Sequence, residues 1–144
     1  MLEVTQIACV RGSRRLFDNL TWEIYRTDRS RRRDVERWIE NLVNSSIDIS
    51  RLIITAEGIR LPETYRDTVF SLSLVRGFDR NSVETLSQLV RLRNIVAHEY
   101  LDIRWASIER FVRQAEFLYT RFLERVQEYV RENLVNAEPG KMEQ

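Results

Sequence analysis

The chain has 144 residues, 43% of them hydrophobic and 31% charged, which is enough for one domain to bury its own core and too apolar for a disordered segment. A net charge of +1 argues against a protein that holds nucleic acid by bulk charge, though it leaves room for a local basic groove. Two prolines and four glycines give little turn punctuation, which disfavours an all-β fold and suits long helices.

Residues 2–19 place Ile7, Val10, Arg14 and Phe17 at helical spacing, and a first helix is expected there despite Gly12. The same segment carries Glu3, Gln6 and Arg11, so it does not read as a signal peptide. No apolar run approaches the length of a membrane span, and the single cysteine, Cys9, fits a reducing, cytoplasmic setting. Between Arg26 and Arg37 lies a basic cluster that includes Arg29, Arg32 and Arg33, mixed with Asp28, Asp34 and Glu36. Two readings stand: a solvated helix start with internal ion pairs, or a contact to an RNA backbone. Lys141 is the only lysine, so nearly every cation is a guanidinium. That is either a compositional bias or a use of arginine's planar fork on phosphate.

From about Asp28 to Ala56, apolar residues from Val35 and Trp38 through Ile49, Leu52, Ile53 and Ala56 recur at three and four, which predicts a long amphipathic helix. Gly58 is its expected stop and Pro62 a further break. Tyr65, Val69, Leu72, Leu74 and Val75 predict a short helix ending at Gly77. Asn81 or Ser82 is the expected cap of the next helix, with Val83, Leu86, Leu89 and Val90 inward, running directly into residues 93–100. Past Asp102 a long final helix buries Trp105, Ile108, Phe111, Val112, Ala115, Leu118, Phe122, Val126, Tyr129 and Leu134. The expected whole is an all-α, up-and-down bundle of four to five helices. It forms one domain over residues 1–135, with a loose tail over 136–144 that contains Pro139 and Gly140.

His98 is the only histidine, and this narrows the chemistry. A histidine-rich or cysteine-rich metal site cannot be built, and neither a glycine-rich phosphate loop nor a nucleophile elbow is present. What remains is acid–base work on one imidazole. Asn94 lies four residues before His98, on the same helical face, where its amide can orient the ring or bind a phosphate oxygen. Arg93 lies five residues back, about 140° around an ideal helix, and Tyr100 returns to the arginine's side. One helix therefore gathers these groups poorly. A site shared across a two-fold dimer, or a helix that breaks near His98, gathers them better. An Arg–His pair without metal ligands suits RNA cleavage, because RNA brings its own nucleophile in the 2′-hydroxyl. On spacing alone, a histidine beside arginine and asparagine is more often structural than catalytic.

The run Arg93-Asn94-Ile95-Val96-Ala97-His98-Glu99-Tyr100 resembles the R-x4-H-x-Y motif of HepT-like HEPN ribonuclease toxins. Trp38-Ile39-Glu40 through Ile47-Asp48-Ile49-Ser50, Gly58, Pro62 to Asp67, and Leu101-Asp102-Ile103 resemble the flanking segments, so the likeness covers about residues 30–130. It implies a homodimer in which two motifs line one cleft, with Arg93 and His98 as the catalytic pair of a metal-independent endoribonuclease that needs no cofactor. It further implies Asn94 as a supporting group and Tyr100 as the acceptor of AMP from a minimal nucleotidyltransferase antitoxin of the MntA type. Asp102 either bonds Tyr100 or Arg93 or simply ends a helix. Transfer RNA fits as a target for toxins of this kind, although no residue of the sequence specifies it. An alternative function is a non-catalytic HEPN subunit that binds and supports a nucleotidyltransferase.

Overall fold

The computed structural model describes residues 17–137, with side chains as far as residue 134. The helix expected over 2–19 and the tail from residue 138 onward lie outside the described residues, whereas Asn136 and Ala137 still belong to the last helix. The described chain is helical throughout, without strands. In order, its helices are α1 (Trp22–Thr27), α2 (Arg29–Ala56), α3 (Tyr65–Phe70), a 3-10 turn (Ser71–Leu74), α4 (Arg80–Leu89), α5 (Leu92–His98) and α6 (Leu101–Ala137). No described helix is long and apolar enough to cross a membrane.

Two long helices set the frame. α2 starts where Asp28 accepts the Arg31 N–H at 3.1 Å, which satisfies one of the free donors of the first turn. It ends in a Schellman motif: the Ile59 N–H returns to the Ile54 carbonyl and the Gly58 N–H to the Thr55 carbonyl, with Gly58 at φ 71°. Val35, Ile39, Leu42 and Val43 are buried along its inner face, together with Ser46 and Ser50. Those two hydroxyls donate back to the Val43 and Ser46 carbonyls, each at 2.7 Å, so they lie buried without orphaned hydrogen-bond groups. Leu52, expected inside, is 62% exposed, because Ile49, Ile53 and Ile54 already occupy the buried stripe.

α6 supplies Ile108, Phe111, Ala115, Leu118, Tyr119, Phe122 and Val126 to the same core. Each large aliphatic or phenylalanine side chain among them contributes about 1.5–3 kcal/mol by leaving water. Tyr129 bonds Glu57, the C-cap of α2, at 2.7 Å, and burial followed by that carboxylate pushes its phenol up to about 12. Beyond this tie α6 outruns its partner helix. Leu134, expected in the buried stripe, is 63% exposed for that reason.

The middle of the chain departs from expectation in three places. The short helix expected to end at Gly77 is α-helical only over Tyr65–Phe70 and passes into the 3-10 turn Ser71–Leu74, with Leu74 exposed. The cap of α4 is Asp79 rather than Asn81 or Ser82, its carboxylate accepting both the backbone N–H and the hydroxyl of Ser82. α4 also does not run directly into residues 93–100. The backbone tightens to i−3 hydrogen bonds at Val90, Arg91, Arg93 and Asn94, and a separate helix begins at Leu92. Val90 and Leu92 explain the break. Both are buried, yet two residues apart they face about 200° away from each other on one helix. Counting α4 and α5 as one broken rod leaves five rods among the described residues, four of them expected from the sequence and one, α1, not.

Candidate active site

α5 is seven residues long and is held between α2 and the start of α6. Leu92 buries beneath it, and Ile95 and Val96 are partly buried against the core. That anchoring leaves Asn94, Ala97 and His98 facing out, over an open groove of about 570 Å³. The opposite wall is α2, where Arg33, Arg37 and Glu40 repeat at helical spacing, and Arg104 of α6 closes one end.

Arg104 fixes this arrangement. Its Nε donates to the Glu99 carbonyl at 2.6 Å, just past the last turn of α5, and its Nη1 meets the Glu36 carboxylate at 3.1 Å. The same Glu36 oxygen accepts the Tyr25 hydroxyl at 2.7 Å. Tyr25 is fully buried between Trp22 and Trp105, and burial and then Glu36 push its phenol well above the ordinary tyrosine range. Four elements, α1, α2, α5 and α6, are thereby joined around one carboxylate.

Arg93 is held differently. Its guanidinium carbon lies 5.2 Å from the Tyr65 ring centroid, and Arg51 lies at 5.9 Å from the same ring. No carboxylate pairs with Arg93 among the described residues, and its Nε is buried without a hydrogen-bond partner. A π-face therefore positions this cation without neutralising it. An anion entering the groove meets a positive group that no carboxylate among the described residues has claimed.

The other residues singled out in the sequence are placed as follows. His98 is exposed in the last turn of α5, and no hydrogen bond joins it to Asn94. The helix ends there, so Tyr100 does not return to the arginine's face along one continuous helix. It sits in the link to α6, where its carbonyl accepts the Arg104 N–H at 2.9 Å, and its ring is 79% exposed. Asp102 is exposed in the first turn of α6, where its charge suits the helix dipole, and it bonds neither Tyr100 nor Arg93. Among the arginines, Arg33 lines the groove and Arg29 is exposed at the start of α2. Arg32 instead donates to the Tyr25 and Arg26 carbonyls and closes the end of α1. Arg37 belonged to the basic run for which an RNA-backbone contact was one reading, whereas Arg104, Glu36 and Tyr65 were not visible as site residues in the sequence. For Arg37 the i, i+4 spacing from Arg33 was the available signal. Glu36 and Tyr65 arrive through tertiary contact, and Arg104 joins its local bond to the Glu99 carbonyl with a distant one to Glu36.

No group of three or more candidate metal ligands occurs among the described residues. Residues 7–129 match the family model described as ribonuclease HepT-like. The chain belongs to the HepT-like ribonuclease family. The match takes in every described groove residue, from Arg33 to Arg104, as well as Tyr100. Two solved structures are similar in fold to this HepT-like chain. One is a tri-AMPylated HEPN toxin of Shewanella oneidensis in complex with an MNT antitoxin, at 18% identity and a TM-score of 0.74, covering 88% of this chain and 97% of that one. The other is a toxin–antitoxin with AMP-PNP, at 17% identity and a TM-score of 0.73, covering 87% and 97%. Curated proteins gave no match.

Proposed function

We propose that this HepT-like chain is a metal-independent endoribonuclease toxin that acts as a homodimer. The observation that carries the reading is the unneutralised Arg93 guanidinium in a groove that also holds His98, Arg33 and Arg37. In the proposed step the RNA 2′-oxygen attacks the adjacent phosphorus and the bond from phosphorus to the 5′-oxygen breaks. His98 of one protomer takes the 2′-hydroxyl proton. A protonated His98 of the partner subunit returns a proton to the leaving oxygen. Arg93 binds the non-bridging oxygens as charge builds on them, with Asn94 as a neutral donor beside it. The products are a 2′,3′-cyclic phosphate and a 5′-hydroxyl.

Control follows from the exposed Tyr100. A nucleotidyltransferase antitoxin of the MntA type transfers AMP to it: the phenol oxygen bonds to the α-phosphorus of ATP, pyrophosphate leaves, and the phenolic proton passes to solvent. The adduct adds a negative phosphate close to a groove that otherwise attracts RNA phosphate. Support comes from the family match, and from a similar fold in a toxin described as tri-AMPylated and bound to an MNT antitoxin. The test is expression without a partner. Arrested growth with the wild-type chain and normal growth with His98→Ala are expected. Normal growth with soluble, unmodified wild-type protein would overturn the reading.

A further inference from the structure

The motif helix has a second groove on its other side. It encloses about 520 Å³ and shares no described lining residue with the groove of Arg93 and His98. Its floor includes Leu92 and Ile95, the residues that anchor α5 to the core. Three arginines from three parts of the chain converge on it: Arg66 of α3, Arg91 at the α4–α5 break, and Arg110 of α6. No described lining residue is acidic, and Gln88, Gln114 and Thr85 add neutral donors.

None of the three guanidiniums has an ion pair or hydrogen bond among the described residues. The nearest acid in sequence to Arg110, Glu109, is engaged with Arg113 at 3.1 Å. This differs from the first groove, where Glu36 and Glu40 sit among the arginines and Arg104 is tied to Glu36. Three unpaired cations drawn together repel one another, and an anion of matching spread relieves that repulsion. Phe111, the one aromatic among the described lining residues, is 1% exposed, so these residues offer no ring for a base to stack on. Its chemistry fits the sugar–phosphate backbone rather than a base.

We propose that this groove is a second RNA-backbone site, which holds the substrate strand on the far side of α5 from the scissile phosphate. The proposal rests on RNA being the substrate. A helix is about 10 Å across, a span that a short length of RNA backbone covers. The contact is independent of sequence: arginine forks on phosphate oxygens with amide donors between them. Short fragments that fill only the first groove do not use it.

The test separates binding from cleavage. In a His98→Ala background, fluorescence anisotropy follows a fluorescein-labelled, mixed-sequence, single-stranded RNA over a series of salt concentrations. The variant Arg66→Gln/Arg91→Gln/Arg110→Gln is compared with Arg60→Gln/Arg80→Gln/Arg131→Gln, which removes the same charge at exposed positions outside both described grooves. The first should bind about tenfold more weakly, with its salt slope lowered by about 2, since each lost single-strand phosphate contact removes about 0.7. The second should match its parent. Equal losses in the two variants, or an unchanged slope in the first, would overturn the proposal. So would a change in oligomeric mass of the first variant, which would make the groove a protein interface. Cleavage of a dinucleotide by the same triple variant with His98 intact should stay at the wild-type rate. If wild-type protein cleaves nothing while the binding difference persists, the nuclease reading fails, the groove's role in holding a substrate strand fails with it, and the groove remains an RNA-backbone site only.

Discussion

Arg104 and Glu36 meet at 3.1 Å across 68 residues of sequence, and through that contact the end of the motif helix is fastened to α2. The pair is four-fifths withdrawn from water, and each partner has a second bond: Arg104 to the Glu99 carbonyl, Glu36 to the Tyr25 hydroxyl. A charged network with its partners satisfied is rigid, and losing one member strands the others.

Arg104→Met is therefore expected to destabilise the fold by about 2 kcal/mol, the range for a hydrogen bond to a charged group. It should also slow RNA cleavage, because the turn after His98 loses its tether. Urea unfolding of Arg104→Met, Glu36→Gln and the double variant checks this. Losses that simply add would show that the two side chains are not coupled.

Tyr65 holds Arg93 by its ring face, and no carboxylate among the described residues shares the task. A cation–π contact at a partly exposed site is worth about 0.5–1 kcal/mol, so Tyr65→Leu should reduce the cleavage rate about two- to fivefold, and Tyr65→Phe should not. Equal losses in both variants would assign the role to the hydroxyl instead of the ring.

The cap of α4 should be visible in acid. The Ser82 backbone N–H and then the Ser82 hydroxyl hold the Asp79 carboxyl below its usual range. The folded value is depressed, so the stabilisation is present above the unfolded value near 3.8 and is lost as pH falls through the folded value. Thermal melts of wild type and Asp79→Ala should differ at neutral pH and converge in strong acid. A constant gap across that range would mean the carboxylate's charge plays no part in the cap.

Much of this protein was legible in its sequence, and particular residues show where that ended. The repeat from Val35 to Ile53 and that from Ile108 to Tyr129 gave both long helices, because a buried stripe must recur at the helical period. Gly58 marked a true stop, since its backbone adopts the left-handed conformation glycine allows. The break before Leu92 was hidden because each half of residues 80–98 has a helical pattern and only the burial of both Val90 and Leu92 separates them. The exposure of Leu52 and Leu134 was hidden as well, since it depends on which helix ends first. At the site, the motif named Arg93 and His98. Tyr65 came from an element far away in sequence, and Arg104, only six residues past His98, was hidden because its partner Glu36 lies 68 residues away. No local pattern distinguishes such a positioning side chain from a surface one. Arg32 and Arg33 adjoin in the same basic run, yet one closes α1 and the other lines the groove, a difference set by the 100° turn between neighbouring helical residues.

The most direct measurement is cleavage of total cellular RNA by purified protein in excess chelator, beside His98→Ala, after the intact mass of each has been recorded. Discrete fragments ending in 2′,3′-cyclic phosphate from unmodified wild type alone are the predicted result. Intact RNA from wild-type protein of unmodified mass would contradict the account, and would leave a HEPN subunit that supports a nucleotidyltransferase without cutting RNA itself.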